Sequence, residues 1–274
     1  MINFLHTFEP QAELFSIGFL TVYWYGFFMV LAILAALAIA LKLASRYGIK
    51  KDLIFDLGFW LIIWGIIGAR IYDIFLELPY YLSNPWQTIK IWQGGLAIHG
   101  AIIAGIIVII YFAKKNKINF WKLGTIITPS LALGQSIGRF GNYFNQELFG
   151  LPTKLPWGIP INLFKRPIDY ISSPYFHPTF LYESLGSLII FIILMSANLY
   201  LLKKKQVKDI FFVFTTLLYV ILYSVLRFGL EFIRIDRTPL FLGLRFPQII
   251  SLTAIVVSII ILIFKLNVRN KNKK

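Results

Sequence analysis

The sequence predicts an all-α integral membrane protein with seven transmembrane helices, its N-terminus outside and its C-terminus in the cytoplasm. Three observations carry that expectation. Of 274 residues, 58% are hydrophobic and 14% charged, too little polarity to clothe a water-soluble surface. Apolar runs long enough to cross a bilayer core of about 30 Å recur from one end of the chain to the other. Lysines and arginines gather in alternate gaps between those runs, as the positive-inside bias requires.

The apolar runs lie near 16–41, 53–78, 94–113, 121–144, 179–202, 210–233 and 247–265. Ahead of the first, MINFLHTFEPQAELF carries Glu9 and Glu13 and no basic residue. It lacks the positive n-region and small-residue cleavage site of a signal peptide, so the first run is expected to be a permanent helix. Lys42, Arg46, Lys50 and Lys51 separate the first two runs; Lys114, Lys115, Lys117 and Lys122 separate the third and fourth. The third run is glycine-rich, and the fourth carries a TPS break at 128–130. Lys203, Lys204, Lys205 and Lys208 follow the fifth run, and Lys265, Arg269, Lys271, Lys273 and Lys274 follow the seventh. The opposite side receives Lys90, Lys154, Lys165, Arg166, Arg237 and Arg245, with Arg139 and Arg234 at its border. The longest stretch between runs, about 146–178, has prolines at 152, 156, 160, 167 and 174 and reads as an irregular outside loop. No internal repeat is visible, and 1–274 reads as a single membrane domain. The tail NVRNKNKK is expected to be a solvated cytoplasmic anchor.

Several function classes drop out. The absence of cysteine excludes disulfides, thiolate metal sites and a cysteine nucleophile from this chain. The net charge of +15 is placed to set topology and to attract anionic membrane lipids, so no nucleic acid partner is expected. Three histidines without a paired HxxxH or HxxE spacing give no metal site, and no cofactor is implied. No GxSxG elbow supports a serine hydrolase. His6 is expected to be inert in an exposed leader, and His177 to cap or pack at the start of the fifth run.

The polar residues within the apolar runs are informative, because a charge at mid-bilayer costs about 3 kcal/mol on insertion scales. Tyr25, Arg70, His99, Arg139, Asn142, Glu183, Arg227 and Glu231 all fall in the expected outer half of their helices. Such a layer suggests a polar pocket facing the outer leaflet. Arg227 and Glu231, spaced i, i+4, could instead neutralise one another, and Arg70 could clamp to Asp73, Glu77 or Glu183. His99 sits in GGLAIHGA, where Gly94, Gly95 and Gly100 leave room for another helix or a ligand. Arginines beside a histidine suit a phosphate ester that is held and then cleaved or displaced: Arg stays charged when desolvated, and imidazole can draw a proton from a thiol or hydroxyl. The residues alone thus point to an outer-leaflet enzyme or carrier of an anionic phospholipid. A lipid or solute transporter is the rival reading, although transporter sites tend to lie at the midplane between repeats.

The segment GRFGNYFNQELFG at 138–150 closely resembles the signature G-R-x-G-N-[FY]-x-N-x-E-x-x-G of the prolipoprotein diacylglyceryl transferase family. The resemblance continues through YWYG at 23–26, GARIYD at 68–73, GGLAIHG at 94–100, HPTFLYE at 177–183 and YSVLRFGLEFIR at 223–234. It implies a seven-helix enzyme of the bacterial plasma membrane, with its active site towards the outer face. Such an enzyme moves the diacylglyceryl group of phosphatidylglycerol onto the lipobox cysteine of prolipoprotein signal peptides. By motif position, Arg139 and Arg227 would bind the phosphate, with Arg70 and Arg234 as further substrate contacts. Asn142, Asn145 and Glu147 would hold headgroup and loop, and Gly150 would permit close backbone approach. His99 would be general base or orienting group, and Tyr25 and Glu231 match further functional positions. Two positions depart from the family's habit: Phe180 stands in HPTFLYE where HPSQLYE is common, and Pro247 precedes Gln248 where GQ is common.

Overall fold

The structure, a computed structural model, describes residues 2–204, 208–236 and 238–271. Lys205, Arg237, Lys273 and Lys274, counted above among the basic residues, lie outside the described residues. The chain opens with α1 (Ile2–Thr7), β1 (Glu13–Ile17), β2 (Leu20–Tyr23), α2 (Trp24–Arg46), α3 (Lys51–Leu76) and α4 (Leu78–Ser83). It continues through α5 (Ile98–Lys115), α6 (Phe120–Phe144), β3 (Ile159–Pro160), β4 (Tyr175–Phe176) and α7 (Thr179–Leu202). It ends with α8 (Asp209–Leu230), β5 (Leu240–Phe241), β6 (Leu244–Arg245) and α9 (Phe246–Lys271). Among the described residues six helices are long and apolar enough to cross a membrane: α2, α3, α5, α7, α8 and α9. α6 is 25 residues long but carries Lys122, Gln135, Arg139, Asn142 and four glycines, which dilute its apolar character.

Three local differences from the sequence reading have simple causes. The first apolar run does not begin as helix at 16. Residues 13–23 pair as the antiparallel hairpin β1–β2, turning at Gly18 with φ +60°, where a II′ turn places glycine. The Trp24 N–H then bonds the Ala12 carbonyl at 3.0 Å and closes the hairpin's base. The third run is helical only from Ile98, because Gly94 and Gly95 take positive φ and form a loop. At 128–130 there is no break: α6 passes through Pro129, a residue that membrane helices tolerate when neighbours meet the freed backbone groups.

The chain divides into two compact units, 40–126 and 1–39 with 127–274. In the first, α3 and α5 cross closely at paired glycines. A methyl on Gly68 would lie 2.5 Å from Ala104 Cβ, and one on Gly100 would collide with the Gly68 carbonyl. The room at Gly100 is therefore taken by a helix. Ile54, Leu57, Phe112, Leu123 and Ile126 are buried in this unit.

In the second unit α7, α8 and α9 pack as neighbours. Ala132, Ile190, Leu194 and Tyr219 form one buried cluster, and Tyr143, Phe149, Ile159, Ile161, Phe176 and Phe180 another. Phe180 stacks on Tyr143 with ring centroids 4.4 Å apart, so the departure noted in HPTFLYE builds hydrophobic core. His6 is not an idle leader residue. It stacks on Tyr175 at 3.5 Å and donates from Nδ1 to the Gly158 carbonyl at 3.1 Å, fastening α1 to the 146–178 segment. Arg166 bonds the Ile161 carbonyl (2.7 Å) and Asn162 caps the following turn, so that segment is ordered by local hydrogen bonds despite its prolines.

Candidate active site

In the unit of 1–39 and 127–274, four arginines converge on two buried carboxylates. Glu183, in the second turn of α7, is 1% exposed. Its Oε1 accepts from Arg139 Nη2 at 2.5 Å and from the Tyr223 hydroxyl at 3.0 Å. Its Oε2 accepts from Arg227 Nη1 at 3.2 Å and stands 3.8 Å from Arg234 Nη1. Glu231, also 1% exposed, receives Arg227 Nη2 at 3.1 Å and faces Arg245 Nε at 3.3 Å. An unpaired carboxylate so deeply buried would be severely penalised, and these partners offset that cost. The i, i+4 neutralisation of Arg227 by Glu231 thus occurs, but as one link in a longer network.

Arg139 and Asn142 project from the last turns of α6, the Arg139 Nη1 donating to Asn142 Oδ1 at 3.3 Å. The chain then turns sharply, with Gln146 and Leu148 at φ +49° and +55°. That turn is held by side chains: Gln146 Nε2 donates to the Pro10 carbonyl (2.8 Å), its Oε1 accepts from the Asn162 N–H (2.7 Å), and Thr179 bonds the Leu148 carbonyl. Asn142 Nδ2 donates to Glu147 Oε1 at 2.7 Å, and Asn145 Nδ2 reaches the same oxygen at 3.5 Å. Gly150 donates to the His177 carbonyl at 2.9 Å, while Leu151 donates to Ile233 at 2.8 Å. A methyl on Gly150 would sit 2.7 Å from the Ile233 oxygen and 2.8 Å from His177 Cβ. Glycine here lets the signature turn lie directly against the chain that follows Arg227 and Glu231. Tyr25 starts α2 and packs on Gly141, where a methyl would stand 3.0 Å from the tyrosine ring.

Of the residues singled out in the sequence, Tyr25, Arg139, Asn142, Asn145, Glu147, Gly150, Arg227, Glu231 and Arg234 thus belong to one unit, and Arg70 and His99 to the other. Arg234 is 8% exposed at its side chain and engages Asp236 through Nε at 2.7 Å and Nη2 at 2.6 Å. Arg70 is turned to backbone: Nε donates to Thr88 (3.0 Å), Nη1 to Gly94 and Gly95 (2.8 Å each) and Nη2 to Gln87. It also lies 3.8 Å from Asp73 and over the Tyr81 ring at 5.0 Å. This is the clamp alternative, with Asp73 as the acid, and it closes the 84–95 loop ahead of α5. His99, in the first turn of α5, is half-buried and tilts against Tyr72 at 5.7 Å. His177 packs at an interface: its Nδ1 lies 3.2 Å from the Tyr182 hydroxyl, which accepts from Trp157 Nε1 at 2.8 Å. Burial lowers the His177 pKa below its ordinary value.

The sequence places Glu183 in the polar layer and offers it as a clamp for Arg70, whereas its partners are Arg139 and Arg227; Arg245 reads there only as a charge on one side. Glu183 had a visible signal, the only acid in the 24-residue apolar α7. Tyr223 opens the motif at 223–234 but its partner on α7 is not visible there, and Asp236 lies outside the quoted motifs although it pairs with Arg234 only two residues away. Among the described residues no three His, Cys, Asp or Glu gather as metal ligands. What the site offers is guanidinium: side chains of Arg139 and Arg227 remain 21% and 18% exposed while anchored from behind by Glu183. Anchored, partly open arginines present fixed donors to an oxyanion.

The fold and this site define a multi-pass membrane protein with a buried arginine–carboxylate network suited to an anionic group. The family model for Prolipoprotein diacylglyceryl transferase matches residues 12–264, and the chain belongs to that family. A phosphatidylglycerol–prolipoprotein diacylglyceryl transferase of Nostoc sp. is 42% identical over 259 residues, covering 94% of this chain and 90% of the relative. Similar proteins of the same name come from Synechococcus elongatus, 42% identical over 257 residues (93% and 88%), and Synechocystis sp., 41% over 249 residues (90% and 87%).

Proposed function

We propose that this chain transfers the diacylglyceryl group of phosphatidylglycerol to the lipobox cysteine thiol of prolipoproteins. The observation that carries the reading is the pairing of Arg139 and Arg227 on the two oxygens of Glu183, at 2.5 and 3.2 Å, which fixes two partly open guanidiniums side by side. In the reaction the substrate thiolate attacks the glyceryl carbon that bears the phosphate. A C–S bond forms, the C–O bond breaks with its electron pair on the phosphate oxygen, and glycerol phosphate leaves. Arg139 and Arg227 bind the phosphate and stabilise the charge that grows on the leaving group. His99 is the candidate base for the thiol proton, with orienting the substrate as its other possible part. Asn142, Asn145 and Glu147 shape the headgroup side of the turn, with Tyr25 beside them, and Arg234 supports the network through Glu183.

The accompanying topology is a single membrane domain of seven spans, α6 being the seventh, in the bacterial plasma membrane. The N-terminus lies outside, the C-terminus in the cytoplasm, and the site faces the outer leaflet. The basic residues after α2, α5, α7 and α9 support that orientation.

The test is transfer of labelled diacylglyceryl from phosphatidylglycerol to a lipobox peptide by the purified protein, with loss of product when the peptide cysteine is serine. No transfer under conditions that support an active relative would sink the reading and leave transport as the surviving class. Full activity of His99→Gln between about pH 6 and 8 would remove the histidine as base.

A further inference from the structure

Arg245 sits in β6, immediately before α9, outside the motifs quoted above. Its side chain is nonetheless fully engaged. Nε donates to Thr238 Oγ1 at 2.9 Å and faces Glu231 Oε1 at 3.3 Å. Nη1 donates to the carbonyls of Glu231 (2.9 Å) and Arg234 (2.5 Å), and Nη2 to that of Asp236. Its own N–H is held by the Gln248 side chain at 3.0 Å. The guanidinium is thus the last link of a row of alternating charges: Arg139, Glu183, Arg227, Glu231, Arg245.

That row begins and ends on a cation, so it holds one positive charge more than it holds negative. Arg234 and Asp236 pair beside it and cancel. Without Arg245, the charges of Arg139 and Arg227 would be matched by Glu183 and Glu231. The open faces of the two arginines would then keep their hydrogen-bond donors but lose net attraction for an anion. Glu147, held by the amides of Asn142 and Asn145, adds a further negative charge nearby and makes the surplus more necessary.

We propose that Arg245 is a positioning residue of the lipid-phosphate site: by neutralising Glu231 from behind, it leaves the charge of Arg227 available to a phosphodiester it does not itself touch. This rests on the transferase reading and names a residue through which its phosphate site is tuned.

The experiment is titration of short-chain phosphatidylglycerol into the purified full-length protein in detergent, with phosphatidylcholine as a zwitterionic control. Arg245→Gln is expected to weaken phosphatidylglycerol binding roughly 10-fold, the scale of one charge interaction in a partly desolvated site. Arg245→Lys, which keeps the charge but not the fork, stays within about 3-fold of the unmodified protein. The double variant Arg245→Gln/Glu231→Gln removes one charge of each sign and recovers most of the affinity. If Arg245→Gln does not fold, the double variant is compared with Glu231→Gln alone, which is expected to bind more tightly than the double by a similar factor. Equal affinity of the compared pair shows that Arg245 lends the site no charge, and a double variant as weak as Arg245→Gln shows a mere staple for the 231–238 backbone, which those two variants both lack; either result overturns the proposal. Failure of the unmodified protein to prefer phosphatidylglycerol over phosphatidylcholine would instead count against the transferase reading itself.

Discussion

Arg139 Nη2 lies 2.5 Å from Glu183 Oε1, joining the end of the signature helix α6 to the first turns of α7 through a carboxylate that is 1% exposed. The same carboxylate holds Arg227 from α8 at 3.2 Å. One buried acid therefore sets the spacing of both arginines assigned to the phosphate. Removing it would leave Arg139 without its counter-charge and Arg227 with Glu231 alone.

Glu183→Gln is accordingly expected to do double damage. Breaking a buried ion pair from one side costs about 3–5 kcal/mol, and the loss should appear as a lower melting temperature together with a large fall in transferase activity. A variant with unchanged thermal stability and activity would show that the network does not depend on this acid.

Arginine-to-lysine exchanges at Arg70 and Arg139 should separate two roles that look alike in sequence. Arg70 bonds four backbone carbonyls around the 84–95 loop, and a lysine cannot span them, so Arg70→Lys is expected to lose about 1.5–3 kcal/mol of stability. In the fraction that stays folded, the KM for phosphatidylglycerol should change little. Arg139→Lys should instead raise that KM by roughly 10-fold, through loss of bidentate phosphate binding. The opposite pattern would exchange their assignments.

Gly150→Ala places a methyl 2.7 Å from the Ile233 carbonyl and 2.8 Å from His177 Cβ, both on backbone-anchored neighbours. Overpacking of this kind costs about 1–3 kcal/mol and would push the signature turn off the chain that bears Arg234. The expected outcome is a melting temperature lower by several degrees and activity reduced more than stability alone explains. Wild-type values for both would show that the contact has slack.

Acid should loosen the His177 anchor. Burial lowers its pKa, so the folded state favours neutral imidazole, whose Nδ1 lies 3.2 Å from the Tyr182 hydroxyl while that oxygen accepts from Trp157. The stabilisation is fully present above the unfolded value of about 6.5 and is lost as the pH falls from there through the lowered folded value. Melting curves of the unmodified protein and His177→Gln should therefore converge between about pH 7.5 and 5.5, and parallel curves would rule out the linkage.

The helices were legible because their signal is composition over a long window: an apolar run of bilayer length forms a helix from 51 to 76 or 179 to 202 whatever its neighbours. Short-range geometry was harder to read. Residues 16–23 run without a charge into the helix that follows, and the turn at Gly18 and the pairing of Phe15 with Val22 make them a hairpin. Similarly, Gly94 and Gly95 read as room for another helix or a ligand, and only the fold shows that Arg70 bonds their carbonyls.

By itself, the sequence determined a greasy multi-helix chain, the family signature at 138–150 and the list of arginines that a phosphate would want. Those follow from residue type and local spacing, which a linear chain displays directly. Only the tertiary structure decided which acid each arginine meets. Glu183, Tyr223 and Arg245 lie far from Arg139 in the chain, yet ion pairing in a buried setting acts over a few ångströms of space. It is that shared burial, and not proximity in sequence, that turns scattered charges into one row with a surplus cation at its end.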